Sequence, residues 1–149
     1  MISAVVAKPG FSLSLDDEQK LFSIIGKFDT LLVSEDMGGS YFTSRSELIS
    51  ECSIISVGCI EEKRYPFRFD EFVNKINSHG AEIIVTVGGD GIASYVATAI
   101  IRQKKSIGIL GFPAGTANVG PIVRADHDSY SFAHKSEIDA IEVSCNGKV

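Results

Sequence analysis

A β-branched apolar run, Glu82-Ile-Ile-Val-Thr-Val87, passes directly into Gly88-Gly89-Asp90-Gly91 and then into a largely apolar helical segment, Ile92 to Lys104. That run has the composition of a strand covered on both faces, so the chain needs helices on either side of a sheet. The same order recurs along the sequence. Ile2 to Ala7 reads as a strand ended by Lys8-Pro9-Gly10, and Asp16 to Phe28 as a helix with Leu21, Phe22, Ile24, Ile25 and Phe28 on one face. Thr30 to Ser34 is a second strand, Glu35 to Ser46 a long polar loop with room for a short helix, and Ser53 to Val57 a weaker third strand. Phe67 to His79 predicts a helix capped by Gly80, and Ser106 to Leu110 a strand ending in the turn from Gly111 to Pro121. Strand and helix alternate. The fold class expected is therefore α/β, a Rossmann-like doubly wound parallel sheet whose ligands bind at the carboxyl ends of the strands.

Length and charge narrow the possible partners. With 149 residues, 44% of them hydrophobic and 22% charged, the chain can bury one substantial core. A net charge of −5 gives nucleic acid no global attraction, so any anion site must be local. Cys52, Cys59 and Cys145 form no C-x-x-C pair, and His79, His127 and His134 show no metal-ligand spacing; reduced, buried thiols are expected. No apolar run approaches the ~20 residues of a membrane span, and Ile2 to Ala7 is too short for a signal core. The expected compartment is the cytoplasm.

Residues 1–125 read as one α/β unit and 126–136 as a polar connection. In the last dozen residues Ile141, Val143 and Cys145 alternate with polar neighbours, and Asn146-Gly147 is a strong hairpin turn. Residues 137–149 are thus expected to open an antiparallel β domain.

The chemistry converges on two small-residue turns. Gly88-Gly89-Asp90-Gly91 opens a helix, where backbone N–H groups and the dipole favour phosphate and glycine permits close approach. A lone carboxylate there would repel phosphate unless it binds Mg²⁺, accepts a hydroxyl proton, or both, which are the needs of phosphoryl transfer. The plainer alternative is a tight turn with Asp90 as the helix N-cap. The second turn carries Gly111, Pro113, Gly115, Thr116, Asn118 and Gly120, whose hydroxyl and amide could bond phosphate or ribose. Between Gly91 and Ala125 there is no acid, while Arg102, Lys104, Lys105 and Arg124 are present. The first three suit a helix C-terminus, and Arg124 is the better phosphate candidate.

Two nucleotide motifs are rejected. Gly115 is followed by Thr116 where a P-loop requires Lys, which excludes a Walker-type NTPase. Gly89-Asp-Gly-Ile-Ala-Ser94 lacks the third glycine and the downstream acid of a dinucleotide fingerprint, which disfavours nicotinamide redox chemistry.

The two turns, and more weakly Lys8-Pro9-Gly10, resemble the NAD kinase family and its wider superfamily with diacylglycerol kinases, sphingosine kinases and 6-phosphofructokinases. The resemblance covers most of residues 1–125. It implies an ATP-dependent phosphotransferase acting on the 2′-hydroxyl of NAD, with ATP and Mg²⁺ as cofactors, and a homo-oligomer. It also implies Asp90 as catalytic carboxylate near the metal, with Gly88, Gly89, Gly91, Gly115, Thr116, Asn118 and Arg124 around the nucleotide. The Pro113-Ala-Gly-Thr-Ala-Asn118 turn is equally similar to that of lipid kinases, so a diacylglycerol-type kinase stands as an alternative. Ile92 replaces the family's usual Thr, and the family's β-rich C-terminal domain lies outside these residues. Both departures keep a non-catalytic nucleotide-sensing module open, and the 149 residues are not expected to catalyse alone.

Overall fold

The computed structural model describes residues 1–115, 122 and 123. The expected β domain at 137–149 and the connection before it lie outside the described residues.

Five strands, β1 (Ile2–Ala7), β2 (Thr30–Val33), β3 (Ser53–Ser56), β4 (Ile83–Gly88) and β5 (Gly108–Pro113), form one sheet in the order β3-β2-β1-β4-β5. Every pairing is parallel, with Ser3 opposite Ile83 and Ile83 opposite Gly108. The order turns back at β1, since the chain first builds outward through β2 and β3 and then returns to place β4 on the other side. The α/β class and its doubly wound pattern are what the alternating sequence requires.

Helices cover both faces. On one, α1 (Leu15–Ile25) and α2 (Gly39–Thr43) bring Leu21, Phe22, Ile25 and Phe42 onto Val5, Leu31, Val85 and Phe112. On the other, α3 (Phe67–Ser78) and α4 (Asp90–Arg102) set Phe69, Phe72, Ile76, Val96 and Ile100 against Ala4, Val6, Leu32 and Ile84. β4 is buried along its whole length, as its β-branched composition demands, whereas β3 at the sheet edge is mostly exposed. The helix ends follow local chemistry. Ser14 caps α1 by accepting the Asp17 N–H at 3.1 Å. Gly80, at φ +81°, ends α3 while Ala81 N–H reaches the Ile76 carbonyl and Gly80 N–H the Asn77 carbonyl, a Schellman arrangement.

Several expectations are corrected. β5 starts at Gly108 and continues through Gly111-Phe112-Pro113, residues read above as turn. Gly111 stays in the strand because Ile122 and Val123 cross it: a Cβ there would lie 2.7 Å from the Ile122 carbonyl oxygen, and Gly111 bridges to Val123. Pro113 is tolerated as the last residue of β5. The helix after the first glycine turn begins at Asp90 rather than Ile92 and buries one stripe, leaving Ser94, Tyr95, Thr98 and Ile101 exposed. Cys52 is buried as expected, but Cys59 is exposed on the loop before α3.

Candidate active site

The sheet order turns at the β1–β4 seam, where the chain leaves β1 toward α1 on one face and leaves β4 toward α4 on the other. A crevice opens at the carboxyl end of such a seam. Here it is a cavity of about 270 Å³ lined by Gly89, Asp90, Gly91 and Gly115, together with Lys8 just after β1 and the side chains of Tyr65 and Tyr95. A larger depression of about 430 Å³ beside β3, lined by Thr43, Ser46, Ser50 and Cys52, lies away from the seam and from both glycine turns. The seam cavity is the candidate because the sequence-predicted residues meet there.

Close backbone packing joins the two turns. A Cβ on Gly115 would stand 2.4 Å from Gly89 N and 2.6 Å from Gly89 Cα, so only glycine lets the second turn rest on the first. The Ala114 N–H donates to the Gly88 carbonyl at 2.9 Å and extends the β4–β5 ladder into the turns. Gly88 is crowded in the same way, with a Cβ falling 2.8 Å from Ile92 Cγ2 and 3.1 Å from Lys8 Cβ. Gly91 differs, because nothing lies within 4 Å of where its Cβ would be. Gly91 belongs to the first turn of α4, where unsatisfied N–H groups gather, and it lines the cavity.

Asp90 is half-buried at the first helical position, and Gly89 is the N-cap, with no side chain capping the helix. The N-cap role is therefore not the one Asp90 fills. Ile92 is 8% exposed and packs into the α3–α4 core, and its Cγ2 lies against Gly88. Arg102 pairs with Asp70 at 2.6 Å, tying α4 to α3 rather than serving the turns. Thr116, Asn118 and Arg124 lie outside the described residues.

Tyr65 and Tyr95 were not singled out from the sequence. Tyr95 had a legible signal, since it follows Gly91 by one helical turn and so shares its face. Tyr65 had none, because its place depends on how the segment before α3 is pinned. Asp36 receives the Ser34 hydroxyl at 2.6 Å and the Ile60 N–H at 3.0 Å, and Arg68 stands 3.5 Å away. Glu71 accepts the N–H groups of Glu61 and Glu62 at 2.9 and 2.7 Å. Burial alone would raise the Asp36 pKa, but the Ser34 hydroxyl, the Ile60 N–H and Arg68 outweigh it and hold the carboxyl below its ordinary value.

A carboxyl depressed on folding adds stability above its unfolded pKa and loses it as pH falls through the folded value. The unfolding midpoint is therefore expected to be level above about pH 5 and to fall on acidification below about pH 4. In Asp36→Asn this acid limb should be shallower though still present, since Glu71 is also held low by the Glu61 and Glu62 N–H groups against its own burial. Thermal melts from pH 7 to about pH 2.5 decide it; an unchanged limb in the variant would remove Asp36 from this role.

Compared with known families, residues 43–123 match the diacylglycerol kinase catalytic domain, which is more than half of the chain. The chain belongs to this family. The match includes Asp90, both tyrosines and the glycine turns, and it places the protein in the superfamily shared by NAD kinases and 6-phosphofructokinases. As a diacylglycerol kinase catalytic domain it is a kinase-type, nucleotide-binding unit. No curated protein and no solved structure matches the chain. Among the described residues, no helix is long and apolar enough to cross a membrane.

Proposed function

We propose that this domain transfers the γ-phosphoryl group of ATP to a hydroxyl, and that the acceptor is the 2′-hydroxyl of NAD. The observation that supports the phosphoryl-transfer part of this reading is the contact of Gly115 with Gly88 and Gly89, which gathers two glycine turns around a single carboxylate, and the acceptor rests on the resemblance to NAD kinases. The first-turn N–H groups of α4 receive phosphate oxygens, and the open position at Gly91 lets them approach. Asp90 accepts the proton of the acceptor hydroxyl as its oxygen attacks the γ-phosphorus, the bond from that phosphorus to the β–γ bridging oxygen breaks and ADP leaves, and the Lys8 ammonium offsets charge on the phosphates. Among the described residues no three His, Cys, Asp or Glu side chains cluster. One carboxylate plus substrate phosphates is an ordinary Mg²⁺ environment, so Asp90 fits an ion carried in by the nucleotide. When bound, Mg²⁺ supplies neutralisation of phosphate charge.

A second reading, a lipid hydroxyl as acceptor, is favoured by the family match and by Tyr65, Phe67 and Ile101, which are 50%, 43% and 57% exposed. Titration of the chain with ATP, ADP and NAD, with and without Mg²⁺, followed by product analysis, separates the possibilities. Mg²⁺-dependent ATP binding and formation of NADP⁺ are expected. Phosphatidic acid from diacylglycerol would select the lipid reading, binding without turnover a nucleotide-sensing module, and absence of nucleotide binding would overturn the kinase reading.

A further inference from the structure

We infer that Tyr65 and Tyr95 form a stacking wall for the adenine of the bound nucleotide, an assignment that rests on the phosphate-binding reading of the glycine turns. The two rings stand at right angles, 89°, with centroids 5.2 Å apart. Phe69, buried, stacks behind Tyr95 at 5.2 Å and 8° and meets Tyr65 edge-on at 5.4 Å. The corner is thus already formed without a ligand, and Asp36 and Glu71 pin residues 60–62 of the loop that leads to Tyr65.

Despite this backing, Tyr65 and Tyr95 remain 50% and 37% exposed, and both line the cavity that holds Asp90 and Gly91. Tyr95 lies one helical turn, about 6 Å along the axis, beyond Gly91. A ligand with phosphates at the turn therefore presents whatever it carries next to this wall. Flat aromatic faces with polar tips beside a charged floor suit a planar, hydrogen-bonding ring better than an acyl chain. ATP and NAD both carry adenine, so the wall reads chemistry common to donor and acceptor.

The chain has no tryptophan and four tyrosines, so the part of the emission change that is lost in the Tyr65 and Tyr95 variants reports the contact. The test titrates it with Mg-ATP and with Mg-tripolyphosphate, in the wild type, Tyr65→Leu, Tyr95→Leu and Tyr95→Phe, following emission and heat. ATP is expected to quench emission and to bind about 10- to 100-fold more tightly than tripolyphosphate. Each Leu variant should lose most of that margin while its tripolyphosphate affinity stays unchanged, and Tyr95→Phe should keep it. Equal binding of the two ligands by the wild type overturns the wall and leaves the phosphate site standing. Equal loss of both ligands in the Leu variants also overturns it, making the tyrosines structural. A Leu-sensitive affinity for short-chain diacylglycerol with unaltered ATP binding overturns it in favour of a lipid wall. Failure of both phosphates to bind overturns the phosphate reading itself. Parallel NAD titrations in the presence of tripolyphosphate assign the base: additive binding points to the acceptor's adenine, competition to the donor's.

Discussion

Asp90→Asn is expected to reduce phosphoryl transfer by about 10²- to 10⁴-fold, the usual contribution of a positioned general base. The amide keeps the shape of the side chain but cannot take the acceptor's proton. Stability should change by no more than about 2 kcal/mol, because Asp90 does not cap α4 and that is the upper worth of a half-buried charge at the helix dipole. The measurement pairs turnover with urea denaturation of the same variant. A folded Asp90→Asn protein with near-normal turnover would take the carboxylate out of the chemistry and leave the turn as a binding element alone.

Gly115→Ala should damage both stability and binding, for a reason that Gly91→Ala isolates. At Gly115 the new methyl group meets backbone, Gly89 N at 2.4 Å and Gly89 Cα at 2.6 Å, so neither neighbour can rotate away. The turns must part, at an expected cost of about 1–3 kcal/mol, comparable to overpacking a core. Nucleotide affinity should fall at least tenfold, since about 1.4 kcal/mol of lost preorganisation already gives that factor. At Gly91 nothing lies within 4 Å, and alanine is the better helix former by up to about 1 kcal/mol. Gly91→Ala should therefore fold as well as the wild type or better, yet bind nucleotide more weakly because its methyl group occupies the phosphate's approach. Denaturation and titration of both variants test the pair. If Gly115→Ala binds normally, the contact between the turns is packing with no bearing on the ligand.

The sequence carried the central strands and the first turn because their signals are local. A β-branched run buried on both faces has no other common fate, and glycines followed by an apolar helical stripe mark where strand becomes helix. What failed locally was decided at a distance. Gly111 and Pro113 look like turn residues, and they belong to β5 only because residues 122 and 123 lie against one and a parallel neighbour, Gly88, stands opposite the other. Ile92 looked like a missing hydroxyl, but its surroundings in the α3–α4 core make it a packing residue under the turn. Tyr65 was out of reach altogether, since its position follows from carboxylates at Asp36 and Glu71 that fix the loop leading to it. Asp90 and the glycines were legible because a charge among phosphate-type donors is chemically conspicuous within four residues.

The place of β1 at the centre of the sheet sets an order on assembly during synthesis. Its neighbour β2, and β3 beyond it, follow soon after, so that half of the sheet can pair early. The other side must wait for β4, and Ile2 receives its Glu82 contact from 80 residues further along the chain. Closing so long a loop is the slow step in such topologies, and until it happens one flank of β1 is an open edge. The crevice with Lys8 on one lip and Gly89 on the other does not exist before that closure. A nucleotide able to bind there can do so only after the two halves have joined, and its binding would hold that seam shut.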